Sequence, residues 1–403
     1  MKALINWIDA RFPLLSTWKQ QVSEYYVPKN LNFLYFFGSL SLVVLLMQFL
    51  TGFWLTMFYK ASAAQAFDSI EYIMRDVNYG WLLRYMHTTG ASAFFIIIYF
   101  HLFKAILYGS YQKPRELVWI FGVFLFFLLM AEAFCGYLLP WGQMSYWGAQ
   151  VITSLFGAIP YIGDGLVIWL RGDYNVAEAT LQRFFAFHVV AIPLLMLGMV
   201  FLHLVALRKV GSNNPEGIEI NAHLNERGKP LDGLPFHPYF TVKDFFVILV
   251  FLFIFFVIVF FFPEMGGLFL EKDNFLPANP LITPEHIAPV WYMTPFYAIL
   301  RAIPNKLLGV MAMSSAALIF LLMPWLDKSP ARSMRYKGAF SRFALVVLVI
   351  SFTGLGYLGM ANITPFKQLL ARIFTLLYFS YFFMMPIYTR YERSSSLPER
   401  INR

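Results

Sequence analysis

Eight apolar stretches, joined by polar connectors, constrain the fold of this chain more than any other feature of its sequence. Each approaches the roughly 20 apolar residues that a helix needs to cross the hydrocarbon of a bilayer. The stretches cover approximately residues 33–56, 80–108, 116–139, 180–207, 245–262, 307–326, 341–360 and 368–388. Charged residues make up only 13% of the chain, about half the share of a soluble domain. The sequence therefore predicts an all-α membrane protein with eight transmembrane helices.

The charges in the connectors predict how these helices are oriented. Basic residues cluster in the connectors after the second, fourth and sixth stretches, whereas the alternate connectors are acidic or mixed. Because connectors rich in lysine and arginine stay on the cytoplasmic side, both termini are predicted to be cytoplasmic. The same distribution accounts for the net charge of +9, so no nucleic acid partner is expected.

Two outer connectors, residues 140–179 and 263–306, are long, aromatic and rich in proline and glycine. They are too apolar to be solvated linkers, and connectors of this length are commonly functional. Residues 143–156 are predicted to form an amphipathic helix on the membrane surface.

Four of the seven histidines lie within the apolar stretches, His87 and His101 in the second and His188 and His203 in the fourth. Both stretches run from outside to inside, so each outer histidine has a partner at a similar depth, and so does each inner one. The separations of 14 and 15 residues correspond to about 21–22 Å along a helix. A single intramembrane histidine is about as often a core residue bonded to a carbonyl. Four in a matched pattern favour two stacked haems b, each ligated by two histidines and lacking an open iron position.

Glycines repeat the spacing of the histidines. Gly38 and Gly52 in the first stretch are 14 residues apart, as are Gly122 and Gly136 in the third. Glycine is common at helix contacts in membranes, but it also lets a flat macrocycle approach a helix closely. The doubled spacing favours haem packing, with the first four helices forming a bundle around the two haems.

Further residues bear on how a haem would be held. Cys135 is the only cysteine, which excludes an intrachain disulfide, a cysteine-ligated iron–sulfur cluster and covalent haem attachment. Arg84, Lys104 and Arg183 lie within five residues of a histidine and could bind haem propionates, although such cations also snorkel to the membrane surface. Trp119 completes the expected haem-binding residues.

Five motifs extend this pattern along nearly the whole chain. They are R-Y-M-H-T-T-G-A-S (84–92), G-Y-L-L-P-W-G-Q-M-S-Y-W-G-A (136–149), G-S-N-N-P (211–215), F-H-P-Y-F-T-V-K-D (236–244) and P-V-W-Y…P-F-Y-A-I-L-R (289–301). With the four histidines, they resemble the cytochrome b subunit of the quinol–cytochrome c oxidoreductase (complex III) in its proteobacterial form. The split form of that family places the last spans on a separate chain, so eight spans favour the fused form.

The resemblance implies a domain organisation and a set of partners. Residues 1–210 would form a four-helix haem-binding domain, and residues 211–403 a second four-helix domain that carries the outer loop 263–306. A Rieske iron–sulfur protein, a membrane-anchored c-type cytochrome, lipid and a second copy of the complex would be partners. The expected location is a bacterial inner membrane.

The resemblance also implies two quinone sites. Ubiquinol would be oxidised at an outer site, with one electron leaving through the Rieske protein and the other crossing both haems to reduce ubiquinone near the cytoplasmic face, coupled to proton translocation. The expected outer-site residues are Phe134, Tyr137, Gly142, Met144, Gly148 and the loop Pro289–Tyr297, including Trp291, Tyr292 and Tyr297. The expected inner-site residues are Arg208, Ser212, Lys243 and Asp244.

Two departures from the family pattern affect the quinone sites. The usual P-E-W-Y is P-V-W-Y here, so Val290 cannot accept a quinol proton, and we hypothesise that Glu285 substitutes for it. Glu285 could equally be a solvated loop carboxylate. Arg208 occupies the position where the family usually has an inner-site histidine, so protonation there is expected to run through Lys243 and Asp244. Those two residues could instead cap the fifth helix.

A third departure concerns the helix that carries the later pair of histidines. The gap from His188 to His203 is 15 residues, where many relatives have 14. One extra residue turns a regular helix by about 100° and would swing His203 away from its haem. Pro193 lies between the ligands and interrupts the hydrogen-bond ladder. We therefore predict a kink or bulge between His188 and His203.

Two other protein classes share parts of this pattern. A two-haem membrane anchor of another quinone-linked oxidoreductase would have paired histidines, but such anchors are usually shorter and lack the two long outer loops. A transporter that uses intramembrane histidines for protons would leave the doubled 14-residue spacing unexplained. An absorbance spectrum with two low-spin b bands separates a haem protein from the transporter.

Overall fold

The computed structural model describes residues 2–401, which are mostly helical. In chain order the α-helices of this range are α1 (Lys2–Asp9), α2 (Leu14–Trp18), α3 (Phe37–Thr56), α4 (Ala66–Arg75), α5 (Gly80–Tyr108), α6 (Glu116–Leu138), α7 (Gln143–Leu155), α8 (Gly163–Arg171), α9 (Glu178–Ala186), α10 (Ile192–Val210), α11 (Tyr239–Phe261), α12 (Thr294–Ala302), α13 (Lys306–Leu318), α14 (Met323–Leu326), α15 (Ala339–Met360), α16 (Pro365–Phe383) and α17 (Met385–Tyr391). The two short strands are β1 (Tyr26–Pro28) and β2 (Gly233–Pro235). α7 forms where the amphipathic helix was predicted.

Seven helical segments in the described range are long and apolar enough to cross a membrane. They are Phe33–Thr56, Gly80–Tyr108, Glu116–Leu138, Glu178–Val210, Tyr239–Phe261, Lys306–Leu326 and Ala339–Met360. The eighth predicted span corresponds to α16 and α17, which are bent by 51° and make up the eighth crossing if the pair is one span. The predicted all-α membrane fold is confirmed.

The first four spans form two packed helix pairs. α3 lies along α5, and α6 lies along α10. Each pair therefore joins a helix that carries two histidines to a helix that carries two of the spaced glycines. α12, α13, α15 and α16 pack together as a second group.

The helix that carries His188 and His203 is not a regular α-helix. Residues Phe187–Ala191, between α9 and α10, form a π-helical turn in which the Ile192 amide donates to the Phe187 carbonyl. A π turn takes one more residue than an α turn, and Pro193, which has no N–H to donate, follows directly. The predicted bulge between His188 and His203 is confirmed.

Hydrogen bonds join the connector between α11 and α12 to the start of α7. The Gln143 amide donates to the Leu276 carbonyl (2.9 Å), and the Ala278 amide donates to the Trp141 carbonyl (3.0 Å). The Asn274 side-chain oxygen accepts from the Ser145 amide at 2.9 Å. The two long outer connectors therefore form one layer over the end of α6.

The N-terminal and C-terminal segments both lie at the opposite end of the molecule. β1 pairs antiparallel with β2, which belongs to the connector between α10 and α11. Asp232, just before β2, forms ion pairs with Lys29 (3.0 Å) and Arg400 (2.6 Å). The N-terminal segment, this connector and the C-terminal segment consequently lie at one end of the helix bundle.

Candidate functional site

The outer histidines His87 and His188 face each other across the first four spans. Their ring centroids are 6.0 Å apart and their planes are perpendicular. Two imidazoles that bind one ion from opposite sides, at metal–nitrogen distances near 2 Å, have centroids roughly 6 Å apart. The separation therefore fits a single metal ion between the rings. No cluster of three or more histidine, cysteine or acidic side chains able to hold a bare ion occurs in residues 2–401.

The two rings open into a cavity of about 290 Å³. Its walls include Gly52 and Gly136 beside the two histidines, and the buried side chain of Arg84. Most of the remaining lining is apolar, as a porphyrin face requires. The cavity, the paired imidazoles and the nearby cation together fit a haem with propionate groups.

Hydrogen bonds fix the outer imidazoles through their Nδ1 atoms. The His87 Nδ1 lies 2.9 Å from the Thr51 hydroxyl. The His188 Nδ1 lies 3.0 Å from both the backbone oxygen and the carboxylate Oε1 of Glu132. A partner on Nδ1 orients the ring and leaves Nε2 free for a metal. Neither Thr51 nor Glu132 was identified from the sequence, because the registers of α3 and α6 against the histidine helices were unknown.

The four spaced glycines each lie against one of the four histidines. A Cβ atom at Gly136 would lie 2.4 Å from the His188 Cε1, and one at Gly52 would lie 3.0 Å from the His87 Cε1. The corresponding distances to inner histidine rings are 3.3 Å at Gly122 and 3.4 Å at Gly38. The sequence interpretation assigned these glycines to contact with the macrocycle. In the structure each of these glycines lies against an imidazole ring, and contact with the macrocycle stays a prediction.

The inner histidines His101 and His203 each lie against one of the spaced glycines at the other depth. The His101 ring lies against Gly38, and the His203 ring lies against Gly122. Within the described residues, neither Nδ1 has a hydrogen-bond partner. The buried Lys104, one turn beyond His101, lies 4.7 Å from the ring centroid of Tyr35.

Two of the other expected haem-binding residues are engaged elsewhere. Arg183 is exposed and donates to the Trp169 carbonyl, so it does not line the outer cavity as expected. Its guanidinium instead covers Gly172, at the turn that follows α8. The Trp119 indole N–H is buried and donates to the Phe320 carbonyl at 2.7 Å, which leaves it no hydrogen to offer a haem. Arg84 and Lys104 remain the buried cations beside the histidine pairs.

Several expected outer quinol residues lie at the same cavity as His87 and His188. Tyr137, Val290 and Tyr292 line it. Tyr292 stacks on Phe95 with centroids 3.8 Å apart. A Cβ added at Gly148 would find only the Tyr137 ring nearby, at 3.9 Å, so the space beside Gly148 is open.

The other expected outer residues surround this group. The Trp291 indole donates to the Ser92 hydroxyl (3.2 Å), and the Tyr297 hydroxyl donates to the Ile287 carbonyl (3.1 Å). Phe134 packs edge-on against Phe184 with centroids 5.5 Å apart. Gly142 forms a β-bridge with Pro277, and Met144 is buried.

A carboxylate that the sequence analysis missed lies in the outer group. The Tyr137 hydroxyl donates to Glu271, which follows α11 in the outer connector. Burial raises the pKa of the Glu271 carboxyl to about 7. Besides Tyr137, the ionisable groups near this carboxyl are Tyr292 and Asp273. The hypothesised Glu285 is exposed and makes no side-chain hydrogen bond or ion pair in the described part of the chain. No sequence signal links Glu271 to Tyr137, since 134 residues separate them.

The expected inner quinone residues are less closely assembled. Asp244 accepts from the Ser39 hydroxyl at 2.8 Å, and Ser39 adjoins Gly38, which contacts His101. Asp244 lies beyond the first turn of α11, so it does not act as an N-terminal cap of that helix.

The remaining inner residues each contact a different neighbour. The Lys243 ammonium lies 5.1 Å from the Phe240 ring, and the Arg208 guanidinium lies 4.0 Å from the Tyr25 ring. The Ser212 hydroxyl donates to the Asn213 carbonyl at 3.1 Å. Of these four residues, Asp244 is the one that contacts within residues 2–401 link, through Ser39 and Gly38, to an inner histidine.

Comparison with known proteins agrees with this geometry. Residues 22–211 match the family described as Cytochrome b/b6/petB, and residues 277–379 match Cytochrome b(C-terminal)/b6/petD. The chain is 56% identical to cytochrome b of Allochromatium vinosum, covering 98% of each protein. It is 46% identical to cytochrome b of Rhodospirillum rubrum, covering 99% of this chain and 96% of that protein.

A solved structure shares the whole fold. A chain of a hyperthermophilic respiratory complex III superimposes with a TM-score of 0.89 at 42% identity, covering 96% of this chain and 99% of that one. Identity at this level over nearly the full length leaves no room for a different fold or family. The chain therefore belongs to the cytochrome b family, the electron-transfer membrane subunit of the quinol–cytochrome c oxidoreductase.

Proposed function

We propose that this chain oxidises quinol at its outer face, carries electrons across the membrane and reduces quinone near its inner face, coupled to proton translocation. The observation that carries the proposal is the pair His87 and His188, which lie 6.0 Å apart at a cavity that Tyr137 and Tyr292 also line. His87 and His188 would hold the outer haem b, and His101 and His203 the inner one. When bound, the haems would supply two one-electron redox centres in series.

At the outer site, Glu271 is the best-supported proton acceptor. Its carboxyl has a pKa near 7 because it is buried, and a base is most effective when its pKa lies close to the working pH. The hydrogen bond from Tyr137 connects it to the cavity. A quinol proton would pass to Glu271 directly or through the Tyr137 oxygen, in place of the carboxylate that Val290 lacks.

At the inner site, Asp244 is the best-supported proton donor to quinone. It lies beside Ser39 and thereby close to Gly38 and His101. Lys243 on the adjacent position, and Arg208 and Ser212 at the end of α10, would add positive charge and hydrogen-bond donors nearby.

The proposal extends to organisation and location. Residues 1–210 would act as the haem-binding unit and residues 211–403 as the unit that completes the quinol site. Both chain ends would face the cytoplasm of a bacterium, since β1, β2 and Asp232 hold them with a basic connector at one end. The partners would be a Rieske protein, a c-type cytochrome and a second copy of the complex, as the likeness to a complex III chain supports.

The haem assignment is tested by absorbance of the purified complex, as the reduced-minus-oxidised difference. Two low-spin b bands are expected, with one lost in His188→Asn and the other lost in His203→Asn. His237→Asn is the matched control, because the His237 side chain is exposed and its one hydrogen bond within the described residues is to the Thr241 hydroxyl. A colourless wild-type complex, or a His203→Asn variant that keeps both bands, would disprove the assignment.

The proton acceptor is tested by comparing Glu271→Gln with Glu285→Gln. A base must lose its proton to act, so the wild-type rate of cytochrome c reduction by quinol should rise as pH increases through about 7. Glu271→Gln should abolish that rise and slow the reaction by about 100-fold, the lower range for loss of a general base. Glu285→Gln should behave as wild type. If Glu285→Gln alone removes the pH dependence, the original hypothesis is right and Glu271 is not the acceptor.

A further inference from the structure

Glu132 is an acid within a membrane-spanning helix that the proposed electron transfer leaves without a role. It belongs to α6, four residues before Gly136. Ionisable residues are costly at this depth and are usually functional where they occur. Its carboxylate Oε1 lies 3.0 Å from the His188 Nδ1.

The four proposed iron ligands differ in what their Nδ1 atoms contact. His188 has the Glu132 carboxylate and backbone oxygen, whereas His87 has the Thr51 hydroxyl at 2.9 Å. In the described range, His101 and His203 have no Nδ1 partner. Glu132 is thus the only acid that contacts any of the four rings in that range.

Nothing in the described chain neutralises this carboxylate from its other side. Its Oε2 atom is buried and lacks a hydrogen-bond partner, and no lysine or arginine pairs with it. A negative charge in a medium of low dielectric acts more strongly than one in water. The charge of Glu132 would therefore act mainly on the His188 imidazole and on a metal bound to it.

We propose that Glu132 lowers the reduction potential of the outer haem relative to that of the inner haem. The Nδ1 hydrogen bond to the backbone oxygen of Glu132 would orient the imidazole. The carboxylate charge 3.0 Å from the same nitrogen would raise the basicity of the ring and hence the charge that it could donate to a bound iron. The added negative charge favours the oxidised haem, which carries one positive charge more than the reduced one. Hydrogen bonding to an axial ligand and local charge are both means by which proteins tune haem potentials.

The consequence concerns the direction of electron flow. An outer haem that is harder to reduce than the inner one passes its electron inward spontaneously. Glu132 is a positioning and tuning residue in this scheme, because it acts through His188 and does not touch the reacting quinol. The inference rests on the proposed haem ligation.

Potentiometric titration of the two b bands tests the inference in the purified complex. Glu132→Gln keeps the size and an acceptor oxygen but removes the charge, and Glu132→Thr removes the carboxyl altogether. Each should favour reduction of the outer haem by at least tenfold, about 59 mV for a one-electron couple, while the inner haem stays unchanged. Glu116→Gln is the matched control, because Glu116 starts the same helix at a distance of roughly 24 Å.

The outcomes separate this inference from the function on which it rests. Two b bands whose midpoints do not move in Glu132→Gln or Glu132→Thr would overturn the role of Glu132 and leave the haem assignment intact. An equal shift of both haems would overturn it too, since the proposed effect is local. Loss of the outer band from both variants would make Glu132 a haem-retention residue and contradict a tuning role. A wild-type complex without b bands would instead refute the haem assignment itself.

Discussion

Adding one methyl group at Gly136 should weaken binding of the outer haem more than the same change at any of the other three spaced glycines weakens binding of the haem beside it. The new Cβ would lie 2.4 Å from the His188 Cε1, about 1 Å inside the 3.4 Å at which ordinary contact begins. At Gly52 the corresponding distance is 3.0 Å, and at Gly122 and Gly38 it is 3.3 and 3.4 Å. The His188 ring would have to move, which breaks its contacts with Glu132.

The magnitude follows from the cost of overpacking. Forcing a methyl group into a filled site typically costs about 1–3 kcal/mol. Because 1.4 kcal/mol is a factor of ten, haem affinity at the outer site should fall roughly fivefold to 150-fold in Gly136→Ala. Alanine is a better helix former than glycine by about 1 kcal/mol, so the helix itself should not be weakened. At Gly38 the methyl group makes only ordinary contact, and affinity should stay within about threefold of wild type.

The assay is the ratio of outer to inner b band in the reduced-minus-oxidised spectrum of four purified alanine variants, with haem content measured in parallel. Loss of the outer haem is expected to be largest in Gly136→Ala and smaller in Gly52→Ala. Loss of the inner haem in Gly122→Ala and Gly38→Ala is expected to be smaller still. A Gly136→Ala complex with both bands at full height would refute the reasoning. So would Gly38→Ala losing its haem first.

Two further predictions concern helix register and a buried charge. Deleting the exposed Val190 (54% exposed) should convert the π turn to an α turn and leave both b bands. Deleting Ile96 from the regular α5 should instead turn His101 by about 100° and remove the inner band. Loss of the inner band from the Val190 deletion would contradict this account of the π turn. Asp327→Asn should lower the free energy of unfolding by about 3–5 kcal/mol, because it leaves the buried Lys337 ammonium without its carboxylate. Thermal unfolding in detergent measures the loss, and an unchanged transition would argue against a charged pair.

The elements that depend on one helix at a time could be predicted from the sequence. The lengths of the apolar stretches predicted the spans. The spacing of His87, His101, His188 and His203 predicted two matched depths, because a helix converts sequence separation into distance along one axis. Neither step requires knowledge of how the helices pack. The bend between α16 and α17 falls within the last predicted span and was not foreseen.

The parts of the site that depend on side-chain direction could not be predicted in this way. Arg183 lies near His188 in sequence, but its guanidinium turns to the Trp169 carbonyl and leaves the cavity to Arg84. Glu285 was selected for its closeness to Val290 along the chain. The carboxylate that reaches Tyr137 is Glu271, brought there by the fold of the outer connector over α7. Sequence distance is a poor guide in a loop, because the chain reverses within a few residues.

The 15-residue gap shows how a departure from regular spacing can itself be predictive. A regular α-helix could not keep His188 and His203 on the same face with one residue added, so the extra residue had to be absorbed between them. Pro193 indicates where the extra residue is absorbed. It has no N–H to donate to the carbonyl one turn earlier, and in an α-helix its ring would crowd that carbonyl. A π turn ending at Ala191 widens the helix where that crowding would occur. His188 itself lies in the widened turn, so the direction of its ring, and hence its contact with Glu132, depends on the insertion. The extra residue in the π turn, Pro193 and Glu132 therefore depend on one another structurally. A deletion that restores a regular α-helix at His188 should also change the contact between its Nδ1 and Glu132.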